Sequence, residues 1–223
     1  LDFFVLNTVC GKMSEWLHRG IEPVKISINF SKLHFSQSDI VDKICRVVDF
    51  WEVPHKYIEI EFTETLYTES EQNLHDTVDL LKLKGFSSSI DDFGSGYWSL
   101  NLLQKLEFDV LKIDKSLIDT IRNNQKSKLV VSDIIRMAKD LEMDVVAEGV
   151  ESKETVNILE NLNCDLIQGF FFDKPLPAED FEKRLTNKNH YSKWFFNLIL
   201  YNTKNWTFSP LFYKSCKIDC SSL

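Results

Sequence analysis

Short β-branched runs alternate with longer stretches of helical period along most of the chain. At the start, Phe3, Phe4, Leu6, Val9 and Met13 recur at helix spacing with no capping residue ahead of them, so a helix already under way is expected. Strands are expected at Lys25 to Phe30, Tyr57 to Phe62, Phe86 to Ile90, Val110 to Ile113, Asp144 to Ala147 and Leu166 to Phe172. Between them Ile40, Ile44, Val47 and Trp51 mark a helix behind Ser36 and Ser38 as caps, and Leu74, Val78 and Leu81 mark one ahead of Gly85. Ile134, Met137 and Leu141 predict a third, and Val156, Leu159 and Leu162 a fourth. Strand followed by helix, repeated, is the pattern of a parallel sheet with crossover helices.

The repeat of β/α units continues to about Leu185, after which the character changes. From Asn187 to Leu223, Tyr191, Trp194, Phe195, Phe196, Tyr201, Trp206, Phe208, Phe212 and Tyr213 crowd among lysines. This aromatic-rich C-terminal extension is open to reading as a docking element, a surface helix or sequence foreign to the domain, and a packing or interface role is the favoured one. The chain has 223 residues, enough to bury a sizeable core in one domain.

A net charge of −8 disfavours binding to a nucleic acid polymer or to anionic lipid, so a phosphate ligand would have to be met locally, through a metal. The five cysteines are scattered, as suits a reducing, cytoplasmic setting, and Cys216 with Cys220 is a weak metal signal. No run approaches the ~18 apolar residues of a membrane span, and a cytoplasmic protein, or the cytoplasmic part of a larger one, is expected.

The chemistry gathers at strand ends. Asn29 closes the first strand, Glu61 and Glu64 the second, Asp91 and Asp92 follow the third, Lys112 and Asp114 close the fourth, Glu148 the fifth, and Gln168 lies within the sixth. One acid after a strand is ordinarily a cap or a solvated turn, but in a β/α barrel a series of them converges on a single mouth. Asp91 and Asp92 would repel one another unless a cation or a shared proton intervened. Both can reach one site only if the strand breaks there, as the glycines of Phe93-Gly94-Ser95-Gly96 permit.

An all-oxygen donor set of Asn29, Glu61, Asp91 and Asp92 suits Mg²⁺ or Mn²⁺ rather than zinc. Two such ions about 3.5 to 4 Å apart would clamp a phosphodiester. Lys112, flanked by Leu111 and Ile113, needs an acidic partner if buried, and Glu148 could order water or act as general base. Asp114 is an even choice between helix cap and support of the metal site, and Glu64 and Glu151 read as groups that fix loops. Asp92-Phe93-Gly94 also occurs in protein kinases, but their phosphate loop and catalytic loop are missing here.

In order, Ser27-Ile28-Asn29-Phe30-Ser31, Glu59-Ile60-Glu61-Phe62-Thr63-Glu64, Asp91-Asp92-Phe93-Gly94-Ser95-Gly96-Tyr97, Leu111-Lys112-Ile113-Asp114, Ala147-Glu148-Gly149-Val150-Glu151 and Gln168-Gly169-Phe170, then Lys174-Pro175-Leu176-Pro177, resemble the later part of an EAL domain. The resemblance implies a modified TIM-type β/α barrel, N-terminally truncated with about six of its strands present, as a partial domain over residues 1–186. It implies hydrolysis of cyclic di-GMP to linear pGpG by two Mg²⁺ or Mn²⁺ ions.

By the same resemblance Asn29, Glu61, Asp91 and Asp92 match metal ligands, Lys112 and Glu148 handle the attacking water, Gln168 supports the site, and Glu64 holds the loop from Phe93 to Tyr97. A homodimer is implied, with a sensor or diguanylate cyclase domain upstream in the full-length protein. The Glu-Ala-Leu strand and its arginine have no counterpart in the sequence. A fragment one carboxylate short, with two open sheet edges and weak or absent turnover, is therefore expected. The alternative is an inactive module that binds cyclic di-GMP or a protein partner.

Overall fold

A computed structural model describes residues 1–35, 37–62, 71–96, 100–186, 196–201 and 207–213. Helix α1 (Asp2–His18) leads into β1 (Ile26–Phe30), followed by α2 (Lys32–Phe35), α3 (Ile40–Phe50), β2 (Ile58–Phe62), α4 (Glu71–Leu83) and β3 (Ser87–Phe93). Then come α5 (Leu100–Lys105), β4 (Val110–Ile113), α6 (Lys115–Ile118), α7 (Gln125–Asp140), β5 (Asp144–Ala147), α8 (Lys153–Asn161) and β6 (Leu166–Gln168). The described chain ends with β7 (Leu176–Pro177), α9 (Ala178–Thr186), β8 (Phe196–Tyr201) and β9 (Thr207–Tyr213).

Strands β1 to β6 pair in parallel in chain order and curl into part of a barrel, as the alternating pattern predicts. Their C-terminal ends therefore share one rim. Buried parallel strands are ordinarily apolar throughout, yet β1 and β2 read Ile-Ser-Ile-Asn-Phe and Ile-Glu-Ile-Glu-Phe. Ile26, Ile28, Phe30, Ile58, Ile60 and Phe62 join the core beneath the helices. Ser27, Asn29, Glu59 and Glu61 alternate with them and take the opposite face, towards the barrel axis. Across the barrel, Val110, Val146 and Leu166 form a separate small apolar cluster, so the axis is polar on one side and apolar on the other.

Several expected boundaries shift. Helix α3 is N-capped by Asp39 and ends before Trp51, which is its C-cap; Ser36 lies outside the described residues. Helix α7 buries Val131, Ile135 and Ala138, while Leu141 is its exposed C-cap, so the apolar stripe lies partly beside the one expected. β3 runs on to Phe93. β6 stops at Gln168, because at Gly169 the chain passes so close to the loop after β5 that a Cβ there would sit 2.1 Å from the Val150 carbonyl oxygen.

The two edges expected to be open are both paired. β8 lies parallel on β1, with Ile26 opposite Leu198, and β9 lies antiparallel on β6, with Ile167 opposite Phe212. β8 and β9 pair with each other from Phe196 opposite Phe212 to Tyr201 opposite Thr207. The C-terminal hairpin thus bridges the first and last strands of the parallel set and satisfies backbone groups that an exposed edge leaves free.

Candidate active site at the barrel mouth

β3 breaks its pairing where the two aspartates lie. Ile90 faces Leu111 and Phe93 faces Ile113, so Asp91 and Asp92 together oppose Lys112 in a bulge. Asp92 takes a left-handed backbone with φ +55°, a conformation that costs a non-glycine residue about 1 to 3 kcal/mol and clusters at functional sites. The bulge is what lets adjacent carboxylates reach one place. Gly94, at φ +99°, follows where a side chain would collide with Leu117.

Lys112 is 2% exposed and sits at the centre. Its Nζ lies 2.6 Å from Asp91 Oδ1, 2.8 Å from Glu61 Oε1 and 2.9 Å from Glu148 Oε1. Burial works against its charge, and Glu148, Glu61 and Asp91 outweigh burial, holding its pKa well above the ordinary lysine value. Glu61 is fully buried. Burial, opposed by Lys112 and reinforced by Asp91, pushes its carboxyl up to about 8. Despite the nearby ammonium, neither Glu61 oxygen receives a hydrogen bond of acceptable geometry. Glu148 is likewise raised, chiefly by burial.

Above Lys112, Asp91, Asp92 and Glu148 each bring a carboxylate oxygen within 4.8 Å of the others. Among the described residues, three carboxylates, of Glu61, Asp91 and Glu148, meet the Lys112 ammonium, and Asp92 lies beside them. Excess negative charge, close oxygen donors and orphaned buried oxygens all fit a hard divalent cation. Asn29, expected among the ligands, stands exposed on β1 opposite Glu61. Gln168, at the end of β6, is 8% exposed, and its buried Oε1 meets no donor among the described residues. Glu64 and Tyr97 lie outside the described residues.

A cavity of about 360 Å³ opens beside these acids, lined by Asp92, Glu148 and Gln168 together with Asp114, Lys115, Gly149, Glu151, Gly169, Phe170 and Pro175. Asp114 caps α6 by accepting from the Ser116 amide at 3.0 Å, and Glu151 pairs with Lys115, which fixes the loop after β5 to α6. Phe170 and Pro175 lie in motifs quoted above but carried no assigned role, since nothing in local pattern marks one phenylalanine of three in a row as facing a cavity. Glu59 was also passed over; it lies on the Glu61 face and accepts from Ser27 Oγ at 2.8 Å. The alternation that turns Glu61 inward could have found it.

The EAL domain model matches residues 1–175. The chain belongs to the EAL domain family. It is 32% identical over 177 residues to oxygen sensor protein DosP of Escherichia coli strain K12, covering 79% of this chain and 22% of that protein. It is 34% identical over 188 residues to cyclic di-GMP phosphodiesterase NbdA of Pseudomonas aeruginosa, covering 83% and 24%. The chain thus spans about a quarter of the length of these curated relatives. Among solved structures, the PaMucR phosphodiesterase in complex with c-di-GMP superposes with a TM-score of 0.74 at 31% identity, covering 80% of this chain and 72% of that one. The manganese/cy-diGMP complex of Klebsiella pneumoniae BlrP1 gives 0.68 at 28% identity, covering 78% and 45%. Among the described residues of this EAL chain, no helix is long and apolar enough to cross a membrane.

Proposed function

We propose that this chain is a metal-dependent phosphodiesterase module that hydrolyses cyclic di-GMP to linear pGpG. The observation that carries the reading is the approach of Asp91 and Asp92, on the β3 bulge, and Glu148, just past β5, to within 4.8 Å of one another. Asp91, Asp92, Glu61 and Asn29 would hold Mg²⁺ or Mn²⁺, two ions in all, and such ions polarise a phosphodiester and acidify an attacking water. The relatives support this, since one is named a cyclic di-GMP phosphodiesterase and another is solved with manganese and cyclic di-GMP.

Lys112 holds three carboxylates at fixed positions, and with its raised pKa it stays charged and takes no proton from water. Glu148 touches Lys112 through Oε1 and lines the cavity, so it is placed to accept the proton of a water attacking phosphorus in line. The P–O3′ bond breaks, the leaving oxygen takes up a proton, and the new phosphate stays on the 5′ side. The full-length protein would be a cytoplasmic homodimer with a further sensor or cyclase domain; one relative, MucR of Pseudomonas aeruginosa, is named a bifunctional diguanylate cyclase/cyclic di-GMP phosphodiesterase.

The test is turnover of cyclic di-GMP by the purified chain in Mn²⁺ or Mg²⁺. Turnover is expected, and its loss in Asp91→Ala. Binding without turnover would replace this reading by that of an inactive cyclic di-GMP-binding module.

A further inference from the structure

The aromatic-rich C-terminal extension takes no part in the chemistry of the mouth, yet its backbone reaches the wall beside it. One edge of β9 is taken up by β8, from Phe196 opposite Phe212 to Tyr201 opposite Thr207. The other edge is shared between two strands. Tyr213, Phe212 and Leu211 face Leu166, Ile167 and Gln168 of β6, while Phe208 and Thr207 face Leu176 and Pro177 of β7. β6 and β7 are thus joined through β9.

The chain passes from β6 to β7 through residues 169–175. Stretched out, that segment would reach more than ~20 Å. On β9, however, the partners of Gln168 and Leu176 are Leu211 and Phe208, a rise of about 10 Å at ~3.4 Å per residue. The segment therefore loops outward, and β9 closes its base. Ser209 and Pro210 lie between the two ladders, where a residue without an N–H has no β6 or β7 partner to feed. Further ties hold the loop itself: the Phe171 amide donates to the Val150 carbonyl at 3.0 Å, and Arg184 of α9 donates to Asp173 Oδ1 at 3.0 Å. Gly169, Phe170 and Pro175 of this loop line the mouth cavity.

We infer that the C-terminal hairpin is a strap, and that its docking keeps this wall of the mouth in order. The hairpin pairs within itself from Phe196 to Tyr201, but meets β1, β6 and β7 through ladders of two, three and two residues. A unit paired more extensively within itself than to any one neighbour comes away as a body. One undocking event then frees the edges of β6 and β7 and releases both ends of the loop together. The inference concerns backbone pairing and stands apart from the phosphodiesterase reading.

The experiment is hydrogen exchange by mass spectrometry on the whole chain, following peptides that cover residues 166–177 and 207–213. Both should be protected in the wild type. Phe212→Pro removes an N–H from β9 between Ile167 on one side and Phe196 on the other, and should speed exchange in both peptides by about tenfold or more. β2 and β4 should exchange as in the wild type. Thr207→Pro, at the β7 end, should act in the same direction, and it carries the test if circular dichroism shows that Phe212→Pro does not fold. Exchange of 207–213 in the wild type at the rate of an unstructured peptide overturns the inference. So does a variant in which 207–213 loses its protection while 166–177 keeps the wild-type rate.

Discussion

At the barrel mouth one ammonium, Lys112, is shared by three carboxylates. Where α9 meets α1, one carboxylate, Glu182, is shared by three donors: Arg19 Nη2 at 2.6 Å, Trp16 Nε1 at 2.9 Å and Lys12 Nζ at 3.4 Å. The second cluster is balanced, because Glu15 also pairs with Lys12 and Arg19, giving two cations and two anions beside the buried contact of Trp16 with Phe181. The first is not: among the described residues three carboxylates meet the single buried ammonium of Lys112 within the barrel, and Asp92 stands at their exposed edge. A balanced cluster at a helix contact can serve as structure alone. An unbalanced and buried one requires a further cation or proton uptake, which is the electrostatic mark of a functional site.

The comparison breaks most readily at Lys112. Lys112→Met leaves Glu61, Asp91 and Glu148 without their cation and should cost about 3 to 5 kcal/mol in metal-free urea denaturation. Mn²⁺ should restore part of that loss. If it restores none, the mouth's charge deficit is not a divalent cation site.

Glu182→Ala should cost roughly 1.5 to 3 kcal/mol, since it removes charge-assisted hydrogen bonds from three donors, and should leave cyclic di-GMP binding unchanged. Hydrogen bonds from Arg19 and Trp16 hold the Glu182 carboxyl at about 2, below its ordinary 4.5. A depressed carboxyl stabilises the fold fully above its unfolded pKa and progressively less as pH falls through the folded one. Thermal melts should therefore show wild type losing this contribution between about pH 4.5 and 2, and Glu182→Gln losing less over the same window. The smallest effect sharpens the contrast with a solvated pair. Lys82 and Glu107 meet at 2.7 Å with side chains 51% and 74% exposed, and Glu107→Ala should leave the urea midpoint unchanged within error.

Much of the barrel was legible in order. The six strands follow from β-branched runs, and the inward turn of Glu61 from the alternation Ile-Glu-Ile-Glu-Phe, because a strand's side chains alternate faces whatever surrounds it. The break at Asp91 and Asp92 was legible too, from two like charges followed by glycines. Less legible was the packed stripe of α7: Ile134, Met137 and Leu141 fit a helical face as well as Val131, Ile135 and Ala138 do, and only the sheet beneath decides between them. Gly169 gave no warning of its near contact with Val150, which brings two loops distant in sequence together.

The sequence by itself determined the kinds of element, their order and the residues at each strand end, because these depend on local periodicity and backbone preference. Tertiary structure alone decided that Lys112 is shared by three acids, that Glu182 clasps α1, that Phe170 faces the cavity, and that a C-terminal hairpin pairs with both β1 and β6. Each of these joins groups far apart in the chain, and which groups meet is set by how the sheet curls and how closely backbones approach, a three-dimensional constraint that no local pattern encodes.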